Sequence, residues 1–120
     1  MKVFKEKNKK SPMIDNLIKR LESEKIDDYD IVDSIPFDSI GISCTLENTE
    51  VYIPRSLDYT RYDINDYIRS LSSSVRTNVN LERNIYIISI SGKLTEAQYY
   101  KLVKFIISCD DFCSIIDNTI

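Results

Sequence analysis

Apolar residues recur along this chain with two different periods, and the switches between them outline its elements. Ile14, Leu17, Ile18 and Leu21 fall at i, i+3, i+4 and i+7, which places them on one stripe of an α-helix. Ser11-Pro12 stands just before that stripe. Serine is a favoured N-cap, and proline suits a first helical position, where no amide donor is needed. Asp15 and Lys19 form an i, i+4 pair on the polar side. The pattern predicts a helix over about residues 12–24. A second stripe, Ile64, Tyr67, Ile68, Leu71 and Val75, with Asp63 as N-cap, predicts a helix over 63–75 that frays through Ser72-Ser73-Ser74. Thr95 and Gln98 make a T-x-x-Q capping box. Beyond it Tyr99, Leu102, Ile106, Cys109, Cys113 and Ile116 continue at helical spacing. They predict one helix from 95 to about 117, with a break near Asp110-Asp111 as the competing arrangement.

The other segments alternate. Residues 29–35 alternate weakly and predict an edge strand that Pro36 ends. Ile40 to Leu46 alternates cleanly, and Val51-Tyr52-Ile53 follows, closed by Pro54. With residues 47–50 as the turn, Leu46 faces Val51 and Cys44 faces Ile53, both pairs on one face of a hairpin. Thr77, Val79 and Leu81 alternate in a short strand, and residues 85–90 (IYIISI), apolar on both sides, read as the central strand. The whole predicts an α+β domain: a small antiparallel sheet of four to five strands with helices packed on it, in the order α-β-β-β-α-(β)-β-α. That order, with the small size and acidic charge, is similar in topology to type III secretion chaperones, a likeness that no motif accompanies.

Composition then narrows the functions this domain could serve. The chain has no histidine and no tryptophan, two glycines and one alanine. Histidine is the usual acid–base group near neutral pH and the commonest metal ligand, and glycine-rich turns are the usual phosphate cradle. Their absence points to a chain that is not an enzyme and that binds no cofactor and no metal. At 120 residues it is the size of one domain. Residues 1–10 carry five lysines against Glu6 alone, the composition of a flexible basic tail ahead of a single domain over 11–120. The net charge of −3 supplies no cationic field for nucleic acid. No signal peptide precedes the domain, and no apolar run approaches the roughly 18–20 residues that span a bilayer. Three cysteines, an odd number, fit a reducing compartment, so the expected location is the cytoplasm or a virion assembled there.

Five constellations invite a chemical reading, and four of them are better explained otherwise. Cys109 and Cys113 at i, i+4 could share a metal on a helix face, but a structural zinc needs four ligands, and both cysteines sit on the apolar seam. Ser91-Gly92-Lys93 lacks a phosphate loop's first glycine, whose position is Ile87, and its following Ser or Thr, whose position is Leu94. Asp27, Asp28, Asp30 and Asp33 do not match an EF-hand, since counting from Asp28 puts Val32 and Asp33 where an oxygen ligand and glycine are required; Asp110, Asp111 and Asp117 read as an outward polar side.

The fifth is a run of arginines at 55, 61, 69, 76 and 83 interleaved with tyrosines at 52, 59, 62 and 67. Tyrosine and arginine are enriched at protein-interface hot spots and in single-strand grooves. Four acids offset the five arginines, which favours a protein partner over nucleic acid. The expected partner-binding residues are Tyr59, Arg61 and Tyr62 in a loop, with Arg69 and Arg76 on the outward face of the second helix. The leading expectation is therefore a non-enzymatic structural or assembly subunit acting through protein–protein contacts, as a homo-oligomer or in a larger assembly. The wealth of Ile, Lys, Asn and Tyr points to an AT-rich genome, which low-GC bacteria, their phages and some large viruses would fit, and a phage virion component is the expected form of such a subunit. A small regulatory binder, a chaperone or an inhibitor of a host protein, is the alternative, ahead of a nucleic-acid-binding accessory protein.

Overall fold

Alternating strands with one apolar side need a cover, and here three helices supply it from one face of a five-stranded sheet. The computed structural model describes residues 2–4, 12–24, 30–32, 40–44, 48–92, 94–109 and 113–117; for 2–4, 12–14, 30–32, 44 and 113–117 only the backbone is described. The elements run β1 (Lys2–Phe4), α1 (Pro12–Ser23), β2 (Asp30–Val32), β3 (Ile40–Cys44), β4 (Thr49–Pro54), a 3-10 segment (Arg55–Thr60), α2 (Arg61–Leu71), β5 (Arg76–Glu82), β6 (Ile85–Ser91), α3 (Glu96–Cys109) and β7 (Cys113–Asp117). This is the α+β arrangement that the periodicities predict. No helix among the described residues is long and apolar enough to cross a membrane.

The main sheet has the order β5-β6-β4-β3-β7, and every neighbouring pair is antiparallel except β3 and β7, which run parallel. β1 and β2 pair parallel in a separate two-stranded sheet. Inward positions Ile40, Ile42, Val51, Ile53, Ile88 and Ile90 are fully buried against Leu21, Ile64, Ile68, Leu102 and Ile106 from the helices. At roughly 1.5–3 kcal/mol for each fully buried large aliphatic side chain, this cluster is the main stabilising term.

Several expectations shift. The β3–β4 hairpin pairs Ile42 with Val51 and Cys44 with Thr49, not Leu46 with Val51 and Cys44 with Ile53. The displacement is four residues, an even number, so every side chain keeps its face and the same isoleucines remain inside. β4, not β6, is the middle strand, because the β3–β4 hairpin lies between β6 and β7. The expected basic tail is, over Lys2–Phe4, a strand paired with β2; residues 5–10 lie outside the described residues. The weak edge strand expected over 29–35 is β2, three residues long.

The largest change is at the C-terminal end. The helix expected to reach 117 stops at Cys109, and residues 113–117 form β7 beside β3. Cys-Ser-Ile-Ile-Asp suits a strand as well as a helix, and β3, with Ile40 and Ile42 wholly buried, would otherwise leave its main-chain groups unpaired. The second helix is also displaced. It runs 61–71, so Asp63 lies within its first turn rather than capping it, and Val75 is buried beyond its end.

Local chemistry sets the joints. Thr95 N–H donates to Gln98 Oε1 (2.8 Å) and Gln98 N–H to Thr95 Oγ1 (3.2 Å), the expected capping box. Gln98 Nε2 also donates to the carbonyl of Leu71 (3.0 Å), the last residue of α2, so one side chain closes two helix ends. Tyr67 of α2 stacks on Phe105 of α3 with ring centres 4.2 Å apart. Between β5 and β6 the chain turns on Arg83 (φ 47°) and Asn84 (φ 66°) alone, the backbone of a type I′ turn.

Candidate protein-docking surface

The exposed aromatic and arginine side chains of the middle segment are positioned by the exit from β4. Pro54 ends the strand, and the chain winds through the 3-10 segment into α2. Thr60, 3% exposed, donates through Oγ1 to the carbonyl of Leu57 (2.7 Å) and holds that joint inward. Arg55 fastens the start of the segment to the β5–β6 turn: its N–H donates to the Asn84 carbonyl (3.0 Å) and Nη1 to Asn84 Oδ1 (3.3 Å). With both ends held, Tyr59 and Tyr62 are left standing outward, each 66% exposed.

Arg61 does not project into solvent as a free contact residue. Its guanidinium lies 4.0 Å from the ring centre of Tyr86 on β6 and 4.5 Å from that of Tyr62, and Nη2 donates to the Tyr62 hydroxyl (2.7 Å). Cation–π contacts of this kind contribute about 0.5–1 kcal/mol each at partly exposed sites. The stack Tyr86–Arg61–Tyr62 therefore props one exposed tyrosine on the sheet. Leu81, 53% exposed, is the strand partner of Tyr86 and extends the apolar surface outward. Val79 (37%) and Ile85 (39%) are the other large aliphatic side chains exposed in this hairpin.

Of the five expected contact residues, Tyr59, Arg61 and Tyr62 are brought together. Arg69 is exposed on α2, seven residues after Tyr62 and so on the same stripe, about 10 Å further along the axis. Arg76 is displaced: it does not lie on the helix but opens β5, because α2 ends at Leu71 and Ser72 is extended. Sequence reasoning missed Tyr86, Leu81, Val79 and Ile85. Alternation marked Thr77, Val79 and Leu81 as a short strand without placing it in the sheet; they lie on the face of buried Ile88 and Ile90, and their place on the outermost strand leaves Val79 and Leu81 exposed.

The remaining polar groupings tie elements together. Glu24, at the end of α1, accepts hydrogen bonds from the Tyr100 hydroxyl and from Lys104 Nζ (3.2 Å), both on α3. The bond from Tyr100, then that from Lys104, holds the Glu24 carboxyl below its usual range, while burial and then the Glu24 carboxylate push the Tyr100 phenol up to about 12. Both shifts lead away from neutrality, the opposite of what a general acid or base at pH 7 needs. The cleft between α1 and α3, lined by Leu17, Ile42, Tyr99 and Val103 among others, has room for only about 20 Å³, on the order of one water. On the outer sheet face Tyr52 donates to Glu50 Oε2 (2.9 Å), and its phenol is raised by burial and then by Glu50.

Cys109 ends α3 half-buried and Cys113 opens β7, so the pair does not share a helix face as expected. No group of three or more Cys, Asp or Glu side chains suited to a metal ion occurs among the described residues. Asp27, Asp28, Asp33, Asp110 and Asp111 lie outside the described residues, as does Lys93 of the Ser91-Gly92-Lys93 turn. Comparison with protein-family models, with curated proteins and with solved structures finds no match to this chain.

Proposed function

We propose that this chain is a non-enzymatic structural or assembly subunit that acts through protein–protein contacts, with Tyr59, Tyr62 and Leu81 around the Arg61–Tyr86 stack as its docking face. The observation that carries the reading is two tyrosines, each 66% exposed, one of them held on the sheet by a stacked arginine. Large amphipathic side chains fixed before binding lose little freedom on contact, which is why tyrosine and arginine dominate interface hot spots. Among assemblies, a phage virion fits the AT-rich genome suggested by the wealth of Ile, Lys, Asn and Tyr. A small regulatory binder would use the same face.

The test compares the native chain with Tyr59→Ala/Tyr62→Ala as immobilised baits in extracts of the native source, read by quantitative mass spectrometry. Truncating a central hot-spot residue costs about 2 kcal/mol or more, roughly thirtyfold in affinity, so a protein retained by the native chain is expected to be lost from the variant. Equal retention by a variant with an unchanged melting curve would overturn this docking face.

A further inference from the structure

β5 is the outermost strand of the main sheet, and among the described residues nothing pairs with its far side. Its seven residues, Arg-Thr-Asn-Val-Asn-Leu-Glu, contain no proline, glycine or lysine, so it lacks several of the devices that commonly blunt an open edge. Six of the seven are exposed. The two-residue turn at Arg83-Asn84 closes on the pair Glu82–Ile85. Main-chain groups alternate in direction along an antiparallel strand. Glu82, Asn80, Asn78 and Arg76 therefore direct their N–H and C=O groups to β6, and Leu81, Val79 and Thr77 present theirs at the open edge.

The strand is complementary to itself when reversed. We propose that two copies of this chain form a two-fold symmetric dimer by antiparallel pairing of their β5 strands about Val79. In that register Val79 faces Val79 and Thr77 faces Leu81, each pair exchanging both of its outward main-chain hydrogen bonds. On the outer face Asn78 meets Asn80, and Arg76 of each copy lies opposite Glu82 of the other. The axis passes through a hydrogen-bonded pair, Val79 with Val79, whose donors and acceptors both point outward. On the helix-bearing face, Val79 and the Thr77–Leu81 pairs cover apolar surface that a single copy leaves exposed.

Competing registers lose these matches. A shift of the pairing by one residue sets Val79 against Asn78 or Asn80, whose main-chain groups already face β6. Moving the axis to Asn80 places Arg76 opposite Asn84 in the turn and Glu82 opposite Asn78. Moving it to Asn78 places Glu82 opposite Ser74. Only the register centred on Val79 opposes both charges to their opposites. The pairing shares Leu81 with the docking face but uses the strand edge and neither Tyr59 nor Tyr62, so it goes beyond the docking proposal and does not depend on it.

Sedimentation velocity over a concentration series tests the dimer. The native chain is expected to show a concentration-dependent monomer–dimer equilibrium. Arg76→Glu and Glu82→Arg change exposed side chains and each oppose like charges at both ends, so each weakens self-association by about tenfold or more. Mixed together, the two variants restore both charge pairs and are expected to form a heterodimer at concentrations where each alone is monomeric. As a measure on the unsubstituted chain, hydrogen exchange should slow with concentration at the amides of Thr77, Val79 and Leu81, and not at those of Asn78 and Asn80. A native chain that stays monomeric at millimolar concentration, or a mixture that fails to associate, would overturn the proposal. Tyr59→Ala/Tyr62→Ala should leave the dimer intact, which separates failure of this interface from failure of the docking face.

Discussion

Replacing Gln98 by glutamate is the change on which local rules and tertiary structure disagree most. Glutamate is the other standard residue at this position of a capping box, and a carboxylate in the first turn of a helix is favoured by about 0.3–1 kcal/mol. On α3 alone, Gln98→Glu should therefore be neutral or stabilising. In the folded protein, however, Gln98 Nε2 is also the donor to the Leu71 carbonyl at 3.0 Å. Glutamate has no hydrogen to offer there, and it puts a negative charge at the C-terminal end of α2, where the helix dipole is already negative. Losing the hydrogen bond costs about 1 kcal/mol, and the misplaced charge adds a similar amount at this half-buried position. Against the gain at α3 the net expectation is a loss of about 1–1.5 kcal/mol, or about 4–6 °C in Tm for a domain of this size. Urea unfolding at pH 7 gives the first quantity and thermal unfolding the second. Lowering the pH far enough to protonate the new carboxyl restores a donor and should narrow the gap to the native chain. A Gln98→Glu chain at least as stable as the native one at pH 7 would refute the double-capping role of this side chain.

Two other joints give equally direct tests. The Tyr100 hydroxyl is the main cause of the lowered Glu24 carboxyl, so Tyr100→Phe should return that group toward its ordinary value of 4.5; an NMR titration in which Glu24 keeps its midpoint would exclude the bond. The sign follows: a depressed carboxyl stabilises the fold above its unfolded value and loses that contribution as pH falls through the folded one, so Tyr100→Phe should flatten the acid limb of the stability profile. At the alkaline end Tyr100 itself, raised from 10.0 to about 12, favours folding below pH 10, and that contribution fades as pH rises from there to about 12. In the β5–β6 turn, Arg83 holds a positive φ of 47° that asparagine tolerates better. Arg83→Asn should raise the stability read from urea unfolding by about 0.5–1 kcal/mol, and Asn84→Ala, which also removes the side-chain partner of Arg55, should lower it by more than that; a lower stability for Arg83→Asn would contradict the turn assignment.

What the amino-acid sequence determined by itself is what depends on neighbours a few residues away. The stripe Ile14–Leu21 and the Thr95–Gln98 box mark helices whose observed starts lie at Pro12 and Glu96. The alternation in β3 and β4 sets Ile40, Ile42, Val51 and Ile53 on one face, and they are buried despite a four-residue error in the hairpin register, because an even displacement leaves each side chain on its face. Tyr59, Arg61 and Tyr62 were legible as neighbours because they are contiguous. Tertiary structure decided what depends on distant partners. Cys113–Asp117 carries apolar residues at spacings that satisfy a helix and a strand alike, and the open edge of β3 selects the strand. Ending α2 at Leu71 carries Arg76 away from the helix into β5. Where a strand stands in a sheet leaves no mark on its own periodicity: the alternation of Thr77, Val79 and Leu81 would read the same with a strand on either side. Only the sheet order, with β5 at its end, turns that inward face into exposed surface and an open row of hydrogen-bonding groups.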